Sequence, residues 1–192
     1  TRLYPQIQVK LQNVPGRDGL TMVRTGDVDL AVGPITKIPD EIWYSPLVSY
    51  EPVLITPLKH PLAAQKKVSL QDISAYGLIL PPHTMSTRNY IDVVFQQHNF
   101  DYHVSMEAGG WEVIKKYVEL DLGISIVTSI CLTGKEKLAR IPLSEYFPVR
   151  SYGLVLRRGK FISPAARKFI ELLDTDALDN FYKGTFSMGQ AS

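Results

Sequence analysis

One short stretch of this sequence constrains the fold more than any other, because it is bounded by glycines and joins an acidic turn to an apolar run. Gly26 stands where a left-handed residue would close a helix, and Asp27 and Asp29 then bracket a turn. The apolar residues 30–32 are typical of a short, fully buried strand, which runs into Gly33. The stretch therefore predicts one αβ unit, with a helix before Gly26 and a strand after the turn.

Helical and strand patterns alternate along the rest of the chain. Residues 7–11 alternate apolar and polar side chains, which is typical of a strand. Apolar residues share one helical face in 17–25, 87–99 and 111–122, and residues 124–132 indicate a buried strand rich in β-branched side chains. Alternating strands and helices predict βαβ units and a mainly parallel sheet. Because the strands are too many for one sheet in 192 residues, we expect two α/β lobes.

Several predicted helices have recognisable ends. Ser69 is placed to cap a short helix, and Ser163 followed by Pro164 is a serine cap with proline at the first helical position. Gly123 is placed to end the helix over 111–122. These signals are local, so they depend little on the rest of the fold.

The charge pattern argues against direct binding of nucleic acid by this chain. The formal net charge is +2, with 45% hydrophobic and 21% charged residues, as in an ordinary globular protein. The basic residues form no run, and a nucleic-acid surface normally concentrates them. The isolated pairs are expected on the solvated surface: Lys66–Lys67, Lys115–Lys116 and Arg157–Arg158.

The cysteine content and the hydropathy point to a reducing compartment and to no membrane span. Cys131 is the only cysteine and lies in an apolar run, so no internal disulfide can form and an inert buried thiol is expected. The sequence has no stretch of about 18 apolar residues, the length a spanning helix needs.

The sequence shows none of the common catalytic patterns. It has no P-loop, no Gly-x-Ser-x-Gly elbow and no Ser-His-Asp set, and the four histidines lack metal-ligand spacing. The carboxylates of Asp174 and Asp176 are expected at a solvated helix start. We therefore predict no enzyme, no cofactor and no metal site.

Three segments, in this order and spacing, resemble the effector-binding domain of LysR-type transcriptional regulators. They are the glycine-bounded stretch 26–33, the turn 55–63 with its His-Pro-Leu-Ala sequence, and 119–127, where a Leu-Gly pair leads into a strand. The resemblance covers nearly the whole chain. Residues 113–118, ahead of that Leu-Gly pair, and Ser-Thr-Arg at 86–88 further resemble the branch around CysB, the regulator of cysteine biosynthesis.

The resemblance implies an α/β, periplasmic-binding-protein-like fold of type 2, with two Rossmann-like lobes joined by two crossover strands. Lobe I, or regulatory subdomain I, would comprise residues 1–50 and 147–184. Lobe II would comprise 51–146, and 185–192 would form a tail. The family's domain opens with a strand and the loop into its first helix. This chain begins inside that helix, so the N-terminal strand is expected to be missing from it.

The resemblance also implies an effector-sensing function. A small anionic or sulfur-metabolism effector, such as sulfate, thiosulfate or an O-acetylserine-like compound, would bind in the cleft between the lobes and shift them. DNA would be bound only through an N-terminal winged helix-turn-helix that is absent here, and the domains would self-associate as dimers or tetramers. The protein would be cytoplasmic, without a membrane partner. A periplasmic solute-binding protein and an enzyme, each on a similar two-lobe fold, remain alternatives.

The first candidate effector contacts lie at the start of the helix over 87–99. Helix N-termini present free backbone N–H groups and a positive dipole end, so they bind anions, and the hydroxyls of Ser86 and Thr87 add donors there. Simple capping of the helix by one of the two hydroxyls is the alternative. Arg88 is placed either to pair with an anion or to face solvent.

The other candidate contacts lie at strand and helix ends, where open α/β sheets bind ligands. The adjacent glycines 109 and 110 allow the backbone to approach a ligand closely. A turn, a strand end or a packing role is the alternative explanation for these candidate residues. The residues are Gly33, Pro34, Gly109, Gly110, Trp111, Thr128, Ser129, Pro15 and Gly16.

Two positions depart from the family pattern. Pro34 stands where the CysB-like branch places a hydroxyl residue, which removes one polar contact with the effector. Asp121 stands where the family usually has a small residue or glycine, and only a surface effect is expected from it.

Overall fold

A computed structural model describes residues 3–35 and 37–186, without the side chains of 184–186. The chain forms two compact units, unit 1 from residues up to 48 together with those from 151 onward, and unit 2 from Ser49–Arg150. The chain therefore passes between the units twice. The lobe boundaries inferred from the sequence stay predictions, and all of the expected tail except residues 185 and 186 lies outside the described residues.

The described residues form six α-helices and eight strands. The helices are α1 (Gly16–Thr25), α2 (Leu70–Ser74), α3 (Ser86–Gln97), α4 (Trp111–Glu119), α5 (Pro164–Leu173) and α6 (Ala177–Phe186). The strands are β1 (Ala31–Gly33), β2 (Ile42–Tyr50), β3 (Pro52–Pro57), β4 (Gly77–Leu80), β5 (His103–Glu107), β6 (Ser125–Thr128), β7 (Leu138–Pro142) and β8 (Arg150–Arg157).

The end signals at Gly26, Ser69 and Ser163 are confirmed. Gly26 closes α1 with a φ of 85°, and its N–H donates to the carbonyl of Met22. The Ser69 hydroxyl accepts the N–H of Asp72 at the start of α2, and the Ser163 hydroxyl accepts the N–H of Ala166 at the start of α5. Because each contact spans only three or four residues, the sequence alone specifies it.

Unit 1 is built on the three-stranded sheet β1-β8-β2, in which β1 runs antiparallel to β8. Side chains of β8 alternate between the two faces, as the strand geometry requires. Leu154 and Leu156 pack in a cluster with side chains of α5 and α6, such as Ile170 and Phe181, whereas Val155 packs with Val23 of α1. The sheet therefore has an apolar cluster on each face.

Two expectations about unit 1 are wrong. Residues 7–11 form no strand, and Val9 and Leu11 are exposed, because no described strand pairs with their backbone. The strand after Gly26 is not fully buried either: Val32 is 52% exposed, since β1 lies at the edge of the sheet. Alternating side chains predict an extended backbone, but a strand also needs a neighbour.

The prediction of a mainly parallel sheet is wrong for unit 2, in which antiparallel and parallel strand pairs are mixed. Strand β3 pairs antiparallel with both β6 and β7, and β4 pairs parallel with β5. A parallel bridge between Leu78 and Ile124 joins β4 to the residue before β6. Strands β5, β4, β6 and β7 therefore run in one direction, and β3 runs in the other.

Buried side chains cover both faces of the unit 2 sheet. On one face Leu54, Leu78 and Ile126 join a cluster with α2 and α3 residues such as Ile73 and Phe95. On the other face Val53, Ile55, Ile79 and Val127 pack with Ile114 and Val118 of α4. Helices α2 and α3 therefore lie on one face of the sheet and α4 lies on the other.

Helix α4 ends three residues earlier than predicted. The N–H of Leu122 donates to Tyr117 O at 3.1 Å and that of Asp121 to Val118 O at 3.0 Å, which together form a Schellman motif. Asp121, with a φ of 61°, is the left-handed residue. Gly123 is needed for another reason, since a Cβ there would lie 2.7 Å from the carbonyl oxygen of Gly77.

We expect Asp121→Gly to raise the free energy of unfolding by about 0.5 kcal/mol, because an L-residue in the left-handed region is strained and glycine is not. Asn99 occupies the same position after α3, with a φ of 56°. Asn99→Gly should gain less, since asparagine tolerates this conformation better than most residues. Urea unfolding midpoints measure both changes, and a lower midpoint for Asp121→Gly would contradict the prediction.

Candidate functional site

The carboxyl ends of the parallel strands in unit 2 lie at one edge of the sheet, because β4, β5, β6 and β7 share a direction. Open α/β sheets bind ligands outside this edge. Three of the segments that follow these strands begin with predicted site residues or contain them. These residues are Ser86, Thr87 and Arg88 after β4, Gly109, Gly110 and Trp111 after β5, and Thr128 and Ser129 at the end of β6.

The hydroxyls at the start of α3 do not cap the helix. Met85 is the capping residue and makes no side-chain capping hydrogen bond. The guanidinium of Arg150 instead donates from Nη1 to Thr87 Oγ1 at 2.8 Å and from Nη2 to Ser86 Oγ at 3.1 Å. The capping alternative considered from the sequence is therefore not what the structure shows.

Arg150 was missed by the sequence analysis, although it lies at the centre of this group. Its guanidinium carbon stands 5.3 Å from the ring centroid of Tyr90, and the Tyr90 hydroxyl donates to the carbonyl of Pro148. Burial raises the pKa of Tyr90 to about 12, so the hydroxyl keeps its proton at neutral pH although the charge of Arg150 opposes the shift.

The structure contradicts the solvent-facing alternative for Arg88. Its side chain is buried, and Nε donates to Asp92 Oδ1 at 3.0 Å and to the Tyr102 hydroxyl at 3.1 Å. Nη1 donates to the carbonyl oxygen of Pro81 at 3.4 Å. These contacts tie the end of β4 to α3, so Arg88 fixes the segment that carries Ser86. A direct contact between Arg88 and an effector stays a prediction.

The glycines before α4 leave the backbone accessible. A Cβ at Gly109 or Gly110 would meet no atom within 4 Å. The helix begins after Gly110 without a side-chain cap, so its first N–H groups have no intrahelical acceptor. Trp111 packs against the apolar cluster of α4, in agreement with the packing alternative.

Thr128 and Ser129 lie where β6 ends. Thr128 is buried and pairs with Pro52 of β3, and the N–H of Ser129 donates to Glu51 O at 2.8 Å. The backbone at this position is therefore held by β3, at the carboxyl edge of the sheet.

The buried ammonium of Lys115 holds the loop that follows β6. Lys115 is 3% exposed, and its Nζ bonds Cys131 O at 2.8 Å, Glu136 Oε1 at 2.9 Å and Glu112 Oε1 at 2.7 Å. The expectation that the pair Lys115–Lys116 lies on the solvated surface is therefore wrong for Lys115. Its partner Glu136 lies 21 positions away along the chain, which a pattern of neighbouring residues cannot reveal.

Glu136→Gln should lower the free energy of unfolding at pH 7 by about 2 kcal/mol, since it leaves the buried Lys115 without its buried carboxylate. The N–H of Thr133, then Lys115, lower the pKa of Glu136. Its ionised form therefore stabilises the fold above the unfolded pKa, and this contribution is lost as pH falls below about 4.3.

The matched control is Glu112→Gln, which removes the exposed partner of the same lysine and should cost less than about 0.5 kcal/mol. Urea titrations at pH 7 and pH 3 measure both variants. Equal losses for the two variants, or a Glu136→Gln protein as acid-sensitive as the original, would contradict the assignment.

Cys131 lies beside this network, and burial raises the pKa of its thiol to about 11. Because the thiolate is the reactive form, alkylation by iodoacetamide at pH 7.5 should be about 300-fold slower in the folded than in the denatured chain, where the pKa is about 8.5. The rate should rise about tenfold per pH unit up to pH 10. Mass spectrometry of this single cysteine gives the rate, and folded and denatured rates within tenfold would contradict the prediction.

The remaining predicted residues belong to unit 1. Gly16, Gly33 and Pro34 line a groove of about 440 Å³ together with residues 7–14. Pro15 precedes α1, and its carbonyl accepts the N–H groups of Asp18 and Gly19. Mostly apolar side chains line this groove, so it offers fewer polar contacts than the edge of unit 2.

The structure shows no metal cluster and no spanning helix among residues 3–35 and 37–186. No group of three or more His, Cys, Asp or Glu side chains there could hold a metal ion. His60 instead accepts the N–H of Leu62 through Nδ1 at 3.2 Å, within the predicted His-Pro-Leu-Ala turn. No described helix has the length and apolar character needed to cross a bilayer.

Residues 1–177 match the family described as LysR substrate binding domain, and the chain therefore belongs to that family. One relative is the HTH-type transcriptional regulator SsuR of Burkholderia cenocepacia, 26% identical over 176 residues that cover 90% of this chain and 57% of SsuR. The HTH-type transcriptional regulator CysB of the same organism is 26% identical over 174 residues, covering 88% of this chain and 55% of CysB. The chain thus spans little more than half the length of these relatives.

Solved structures show the same fold. The regulatory domain of CcmR from Synechocystis PCC6803, in complex with 2-PG, superposes with a TM-score of 0.80 at 22% identity, covering 91% of this chain and 85% of that domain. The type 2 periplasmic-binding-protein-like fold and the LysR family with CysB-type relatives, both expected from the sequence, are confirmed. Since these relatives are transcriptional regulators, the regulator interpretation stands over that of a solute-binding protein.

Proposed function

We propose that this domain senses a small anionic effector of sulfur metabolism, such as sulfate, thiosulfate or an O-acetylserine-like compound. The observation that carries the proposal is the donor group at the start of α3, where Arg150 holds the hydroxyls of Ser86 and Thr87. The oxyanion or carboxylate of the effector binds at this group. The longer protein then passes the binding event to its DNA-binding domains.

The hydrogen-bond directions suit an anion. A hydroxyl has one proton to donate and two lone pairs that accept. Because Arg150 donates to both oxygens, the protons of Ser86 and Thr87 remain for another acceptor. An ionised sulfate or carboxylate only accepts hydrogen bonds, and charge-assisted bonds to such groups are the stronger kind. Ser86 is half-buried and supplies the more accessible hydroxyl, while Thr87 is buried.

The helix termini add to this preference. The first N–H groups of α3 lack intrahelical acceptors and mark the positive end of the helix dipole. Helix α4 begins at the same edge of the sheet, after Gly109 and Gly110, with open space around their Cα atoms. An anion with a short organic part, such as O-acetylserine, therefore has room along these glycines.

The relatives and the solved structure support the general kind of function proposed, a regulator that binds a small molecule. SsuR and CysB are named as transcriptional regulators, and the CcmR domain of the same fold holds the small molecule 2-PG. In the longer protein, DNA is bound by an N-terminal winged helix-turn-helix, and the domains self-associate as dimers or tetramers. Binding at the α3 group biases this assembly, and hence the DNA-binding domains, through the difference in affinity between its states.

A sulfur anion at 100 times its dissociation constant should stabilise the chain by about 2.7 kcal/mol, because it binds the folded state alone. Thermal unfolding with sulfate, thiosulfate and O-acetylserine measures this, against chloride at equal ionic strength and against benzoate. Ser86→Ala combined with Thr87→Ala should abolish the stabilisation. Ser144→Ala, an exposed hydroxyl of the same unit, is the matched control and should retain it.

Stabilisation by benzoate alone would contradict the sulfur chemistry while leaving the family membership intact. Equal stabilisation of the original chain and of the Ser86/Thr87 double variant would show that the anion binds elsewhere.

A further inference from the structure

Arg150 is a cation without a counter-ion. It is half-buried, and no carboxylate among the described residues lies within ion-pairing distance of its guanidinium. Its hydrogen-bond partners on α3 are the neutral hydroxyls of Ser86 and Thr87. It also stands at the positive end of the helix dipole, where a second positive charge is unfavourable.

The position of Arg150 along the chain is as informative as its contacts. It is the last residue of unit 2, and the chain enters unit 1 at the next residue. Its side chain bonds α3 of unit 2, while its backbone begins β8, which continues in unit 1. A change at the guanidinium therefore acts on one of the two passages between the units.

Close packing holds the segment before Arg150 only at its first residue, Phe147. Phe147 is fully buried and packs against the rings of Tyr90 and Phe95. Beyond it, Val149 is 51% exposed, and the contacts of this stretch with α3 include the Tyr90 hydroxyl on Pro148 O and the Arg150 guanidinium on Ser86, Thr87 and the Tyr90 ring. Among the described residues, no ion pair joins the stretch from 148 to 150 to α3.

From these observations we infer that Arg150 couples occupancy of the α3 anion site to the segment 148–150, through which the chain leaves unit 2. This inference rests on the proposed function and names the residue through which binding at that site acts on the connecting segment. An oxyanion that contacts both the α3 terminus and the guanidinium supplies the missing counter-ion to both. It adds further charge-assisted hydrogen bonds beside those that Ser86 and Thr87 accept from Arg150, and so holds the segment in place. Arg150 thus both binds the anion and positions the connection.

The test is hydrogen exchange of the peptide covering 146–153, measured by mass spectrometry with and without saturating sulfate at constant ionic strength. Exchange should slow on binding in the original chain. Arg150→Gln should weaken sulfate binding about tenfold or more, and saturating sulfate should no longer protect this peptide. Arg150→Lys keeps the charge but loses the two-pronged donor, so it should bind more tightly than Arg150→Gln and restore part of the protection.

Lys135→Gln, which removes an exposed cation of the same unit, controls for a general effect of charge and should match the original chain in both measurements. If Arg150→Gln binds sulfate as the original chain does, or if bound sulfate leaves exchange of 146–153 unchanged, the coupling is overturned while the proposed function stands. If neither sulfate, thiosulfate nor O-acetylserine stabilises the original chain, the proposed function itself fails, and the coupling with it.

Discussion

The close approach of three segments around Gly77 is the constraint on which unit 2 depends. Strand β4 is paired on both sides: its Gly77 carbonyl accepts the N–H of Ile124, and on the other side β5, which runs parallel to it, brings Ser105 close to Gly77. A Cβ on Gly77 would lie 2.7 Å from that of Ser105, and a Cβ on Gly123 would lie 2.7 Å from the Gly77 oxygen. Glycine at both positions lets three strands run parallel at this point, with buried apolar clusters on both faces.

The arrangement of the candidate site follows from that pairing. Parallel strands need crossover helices, so α3 and α4 lie on opposite faces of the sheet and both begin at the carboxyl edge. Two helix termini with unpaired N–H groups thereby come to one edge, and Arg88 fixes the first of them through Pro81 and Asp92. Arg150 reaches the same place from the far end of the unit, which concentrates positive potential without any basic run in the sequence.

Local features of the fold could be predicted from sequence, and long-range contacts could not. Gly26 and Ser163 were assigned correctly because their partners lie within four residues. Arg150 meets Ser86 and Thr87 across more than 60 positions, and Lys115 meets Glu136 across 21, so no spacing rule connects them. The strand expected over 7–11 failed because alternating side chains do not show whether a neighbouring strand is present, and no described strand pairs with these residues.

Pro34 also bears on the solubility of the protein, apart from any contact with a ligand. Among the residues that the structure describes, β1 forms one edge of the unit 1 sheet, with Val32 exposed, and unpaired edges can recruit strands from other molecules into aggregates. This strand is only three residues long, and the residue that would extend it is a proline without an N–H to offer. A hydroxyl residue at this position would add a donor to the edge, and with it a longer template for intermolecular β-pairing.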